Sequence, residues 1–80
     1  MCGIFGIVTE KEQILGPILV DAARRLTYRG YDSVGVAVIR GSVIDLRKDA
    51  GRVDDVVQRY HMEDMVGSRG ITQLRWATFG

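Results

Sequence analysis

Residues 1–8 read MCGIFGIV and hold the only cysteine of the 80-residue chain. An apolar run with glycines at positions 3 and 6 predicts a mostly buried strand over Cys2–Val8. Glycine weakens a strand interior and marks places where another backbone or a ligand comes close. Cys2 stands directly behind the initiator methionine, so removal of Met1 makes it the first residue. Two readings follow. The thiol is a small hydrophobe at the start of a strand, the common fate of a free cysteine. Or it is a nucleophile served by its own α-amine, which titrates near about 7.7–8.0 against about 8.5 for the thiol. Such an amine accepts the thiol proton during attack, and no histidine is needed.

Downstream, TEKEQ reads as a polar connection. Apolar residues at 14, 15, 18, 19, 22, 23 and 26 then predict a helix from Ile14 to Tyr28 with one buried face. Pro17 fits its first turn, and Arg24 and Arg25 suit the negative pole of its dipole. Gly30 stops the helix within the YRGYDS loop. Val34–Arg40 and Val43–Lys48 predict a hairpin around the two-residue turn Gly41–Ser42. Val53, Val56, Val57 and Tyr60 predict a second, shorter helix over 52–62. VGSRG (66–70) reads as a turn region before a strand from Ile71 to Thr78. That last strand is expected to leave an unpaired edge and an apolar face. No repeat or linker interrupts the chain, so one α+β unit is expected.

Composition narrows the function. Eleven basic and ten acidic residues are interspersed, which argues against a nucleic-acid or anionic-membrane partner. No apolar stretch reaches the roughly 18 residues of a membrane helix, and no secretory signal precedes the first strand. A lone cysteine forms no internal disulfide, favouring a reducing, cytoplasmic setting. A chain this short buries only about 60–65% of its unfolded surface, and it has no disulfide pair to staple it. It is therefore expected to be the first part of a larger domain.

Few other residues suggest chemistry. Arg75 beside Trp76, followed by Thr78, offers a planar two-pronged donor against an aromatic wall, suited to a carboxylate; an edge arginine next to a core tryptophan is the plainer reading. Arg29 and Asp32 either pair locally or serve a site. His61, with Glu63 and Asp64 nearby, reads as a solvated helix end, so no metal site is expected. Asp54 and Asp55 read as a charged helix start. GSRG lacks the lysine and the strand–loop–helix frame of a phosphate loop.

MCGIFGIV, RRLTYRGYDSVGVAV and LRWATFG occur in order and with fitting separations. Together they resemble the N-terminal glutaminase domain of class II glutamine amidotransferases, members of the N-terminal-nucleophile superfamily. RRLTYRGYDSVG points to the fructose-6-phosphate aminotransferase branch more than to amidophosphoribosyltransferase or asparagine synthetase. The resemblance implies a four-layer αββα sandwich, here partial. It implies that Cys2 attacks the side-chain amide of glutamine, that Arg75 grips the α-carboxylate, and that Trp76 and Thr78 lie in a loop closing over the substrate. Arg29 and Gly30 would help to orient the nucleophile. Glutamine is then the small-molecule substrate, no cofactor is needed, and the ammonia passes to a C-terminal sugar-phosphate domain of an oligomeric parent. The same resemblance leaves open a different acceptor, as in the purine pathway, or a truncated module that binds without catalysis.

The departures are specific. The family usually carries Gly-His-Thr before Arg-Trp, where this chain has Thr72, Gln73 and Leu74, and His after Ala-Thr, where it has Phe79. The family's Asn-Gly oxyanion donors and its amine-binding Asp lie beyond Gly80. Losing one oxyanion donor costs about 10²–10³ in turnover, so these 80 residues alone are expected to be nearly inactive.

Overall fold

The computed structural model describes residues 2–26 and 32–75, with Cys2 and Asp32 described in their backbone only. Four strands and two helices follow in the order β1 (Cys2–Ile14), α1 (Gly16–Leu26), β2 (Asp32–Arg40), β3 (Val43–Gly51), α2 (Val53–Tyr60) and β4 (Val66–Arg75), with a 3-10 turn at Met62–Asp64. All strand pairs are antiparallel, in the spatial order β1-β4-β2-β3. The α+β class is the one expected, and the architecture supplies one sheet and one helical layer of the sandwich.

Alternation decides which face is covered. Val34, Val36 and Val38 of β2 and Thr72 and Leu74 of β4 are buried, while their neighbours on each strand are not. Against them pack Leu15, Leu19, Val20 and Ala23 from the α1 region, Val56 and Val57 of α2, and Met62 and Met65. Gly70 is where α1 comes closest to the sheet. A Cβ there would lie 2.7 Å from Leu19 Cδ1, so the strand keeps a glycine where the helix side chain descends. Thr72 is the one buried polar side chain among the described residues, and its hydroxyl donates to Leu19 O at 2.7 Å.

The second helix is tied to β3 by Arg47. Its guanidinium takes both oxygens of Asp45, at 3.1 and 2.8 Å, and donates through Nη1 to Tyr60 O (2.7 Å) and His61 O (3.0 Å). A cation on these last carbonyls opposes the negative end of the helix dipole. His61 itself is exposed and left-handed, with φ 53°, and ends the helix.

Several boundaries differ from the sequence reading. β1 runs on to Ile14 and absorbs TEKEQ. Val8 faces Arg69 but Gln13 faces Gly67, so residues 9–12 bulge opposite the single Ser68. Thr9 Oγ1 lies 2.8 Å from Lys11 O and 3.1 Å from Ser68 O, which closes the bulge. In α1, Val20 is buried and Ile18 is 41% exposed, so the packed face is rotated from the one the apolar spacing suggested. VGSRG is strand, not turn, and β4 is paired on both sides. Among the described residues the expected unpaired final edge is therefore absent; β1 and β3 are the edges. The parts of the expected helix and final strand at 27–28 and 76–78 lie outside the described residues.

Candidate functional site

The face of the sheet away from the helices divides into rows, each one residue from every strand. Cys2, Arg75, Ser33 and Ala50 share the first row by register. Ile4, Gln73, Gly35 and Lys48 form the second. The remaining two are Gly6, Ile71, Ala37 and Leu46, then Val8, Arg69, Ile39 and Ile44. Polarity is thus concentrated at one end, where the first residue of β1 meets the last of β4.

That polar end carries a concavity of about 410 Å³, whose walls include Ser33, Gly35, Lys48, Gln73 and Arg75. Concave sites of a few hundred Å³ with a few convergent polar groups are the usual seats of small ligands. The cations of the described residues differ in their engagement. Arg24, Arg25, Arg47 and Arg59 each pair with an aspartate. Arg75 and Lys48 have no such partner among the described residues. Asp49, also on the rim, turns its carboxylate to α2: it accepts from Tyr60 Oη at 2.7 Å, from Arg59 at 3.0 Å and from the Ala50 N–H at 2.7 Å. The Tyr60 hydrogen bond, then the Ala50 N–H, hold that carboxyl below the usual carboxylate range, and the Asp49 hydrogen bond raises the Tyr60 phenol. The anion is occupied on the helical side, whereas the two cations pair with no carboxylate among the described residues.

Of the residues singled out from sequence, the register brings Cys2 and Arg75 together as direct cross-strand partners. Arg29, Gly30, Trp76, Thr78 and Phe79 lie outside the described residues. Two of the three departures before Arg75 are core positions: Thr72 bonds to helix α1, and Leu74 is 4% exposed. Only Gln73 shares the Arg75 face. Ser33, Gly35 and Lys48 were missed; their parity within the hairpin was legible, but not which strand would lie beside it.

No family model matches the sequence. Over its whole length the chain is 51% identical to glutamine–fructose-6-phosphate aminotransferase (isomerizing) of Pyrobaculum aerophilum, of which it covers 14%. It is 48% identical to the enzyme of the same name from Clostridium tetani, covering 13% of it. By sequence, the chain matches the N-terminal part of the glutamine–fructose-6-phosphate aminotransferases over its whole length. The resemblance carried by the three motifs is borne out, and the chain spans about one-seventh of the length of these curated aminotransferases. In fold it matches a solved structure described as the allosteric regulatory enzyme of purine biosynthesis, with TM-score 0.79 and 23% identity over 98% of this chain and 16% of that one. At that identity the likeness speaks for the fold alone. No helix among the described residues is long and apolar enough to cross a membrane.

Proposed function

We propose that these 80 residues open a glutaminase domain in which Cys2, freed by loss of Met1, is the nucleophile. The thiol sulfur attacks the side-chain amide carbon of glutamine as its proton passes to the α-amine of Cys2. The C–N bond then breaks, the proton goes to the leaving nitrogen, and ammonia departs from a glutamyl thioester. Water hydrolyses the thioester to glutamate and regenerates the thiol. Arg75 holds the substrate α-carboxylate, Trp76 and Thr78 close over it, and Arg29 and Gly30 orient the nucleophile. The ammonia is transferred to fructose 6-phosphate in a C-terminal domain of the same polypeptide, giving glucosamine 6-phosphate.

The observation that carries this reading is the cross-strand pairing of Cys2 with Arg75, in a chain 42–51% identical to aminotransferases along its entire length. A catalytic thiol and a carboxylate-binding fork must sit about one amino acid apart, and adjacent strands lie about 4.8 Å apart. A purine-type acceptor is the second reading; it has only a likeness of fold at 23% identity behind it.

Incubation of the full-length polypeptide with a glutamine-mimicking diazoketone is expected to add one adduct, mapped by peptide mass to Cys2 with Met1 absent. An adduct on another residue, or none, overturns the proposal.

A further inference from the structure

The concavity at the polar end owes its shape to Gly35. In its row, Gln73 stands on one side and Lys48 on the other, and a Cβ on Gly35 would lie 3.1 Å from Lys48 Cβ. A side chain at position 35 would therefore occupy the floor and press on Lys48. The row above holds Ser33 beside Arg75, which pairs in turn with Cys2. Arg75 and Lys48, two cations without carboxylate partners among the described residues, thus flank a hydroxyl and a carboxamide around an open floor. Nearby Asp49 does not neutralise them, because its carboxylate is held by Tyr60, Arg59 and the Ala50 N–H.

We infer that Lys48 is a second recognition residue for the substrate, its ammonium sharing the α-carboxylate of glutamine with Arg75 across the Gly35 floor. This rests on the glutaminase reading and adds to it a residue on β3, two strands away from Arg75. The division of labour is chemical: Arg75 presents a planar fork that fixes orientation, and Lys48 a mobile point charge that adds attraction. Ser33, directly beside Arg75 in register, supplies a neutral donor to the same anion.

The test uses the full-length polypeptide with two substrates, glutamine and 4-aminobutanamide, which is glutamine without its α-carboxylate. For Lys48→Met the expected result is a KM for glutamine raised about tenfold, the order of a partly exposed hydrogen bond to a charged group. For 4-aminobutanamide kcat/KM should stay as in the parent. Lys48→Arg should restore most of the glutamine KM, and Gly35→Ala should raise it by filling the floor. Lys48 is exposed, so the Lys48→Met thermal melt should match the parent and separate recognition from folding. An unchanged glutamine KM, or equal losses on both substrates, overturns the inference. So does inorganic phosphate binding that Lys48→Met abolishes while the glutamine KM is unaltered. If Cys2→Ala retains glutaminase activity, the underlying reading falls, and this inference falls with it; if Cys2 is required and Lys48→Met is silent, only the inference falls.

Discussion

The two faces of the sheet are built on opposite terms. On the helical face, Val34, Val36 and Val38 of β2 are buried, buried Thr72 is hydrogen-bonded to α1, and Arg47 is satisfied by a carboxylate and two carbonyls. On the other face, Ile4, Val8, Ile44 and Ile71 are half to three-quarters exposed, and Arg75 and Lys48 have no carboxylate partner among the described residues. One face spends its side chains on stability, and the other leaves them available. The open face is itself divided, with polar side chains gathered at the Cys2 end and, apart from Arg69, an apolar surface at the far end. A contiguous apolar surface of this kind marks a place for another layer.

Substitutions that compare the faces should break the symmetry strongly. Leu19→Ala, which empties the place where α1 meets Gly70, should lower the unfolding free energy by about 3 kcal/mol in a denaturant titration. Ile71→Thr on the open face should change that of the 80-residue chain by less than about 0.5 kcal/mol and reduce its self-association in light scattering. Equal losses would mean that the two faces are buried alike.

A smaller effect should come from the polar contact inside the covered face. Thr72→Val keeps the shape but removes the hydroxyl that donates to Leu19 O across the α1–β4 contact, at an expected cost of about 1 kcal/mol in the same titration. A neutral result would mean that the hydroxyl contributes nothing net to seating α1 on β4.

The smallest is a pH effect. The Asp49 carboxyl is lowered in the folded chain, first by the Tyr60 hydrogen bond. The unfolded chain therefore takes up that proton first as pH falls. The stabilisation is complete above the ordinary carboxyl pKa of about 3.9 and is lost as pH drops through the lower folded value. Asp49→Asn should flatten that part of the acid limb of stability against pH, leaving the region between about pH 5 and pH 8 parallel to the parent. An unchanged acid limb would show that Asp49 is not held by α2.

What was legible in the sequence follows what is local. The α1 pattern, Pro17 in the first turn and the Gly41–Ser42 hairpin depend on neighbours within a few residues, and these elements are present. The bulge in β1 depends on Ser68, 59 residues from Thr9, and no local pattern announces it. The start of β4 was hidden because Gly67 and Gly70 look like turn residues. They are glycines because Ile39 O and Leu19 crowd that strand. The site divides in the same way. Cys2 and Arg75 were visible through their motifs, whereas their pairing, and the placing of Ser33, Gly35 and Lys48 beside them, required the strand order.

The most direct test of the central claim is to follow backbone amide chemical shifts while the protein that begins at Cys2 is titrated with glutamate, the product of the proposed reaction. The account predicts saturable shifts at Ser33, Gly35, Lys48, Gln73 and Arg75, with α1 and α2 unmoved. Shifts confined to the helical layer or to the Val8–Ile44 end, or none at all, would contradict it.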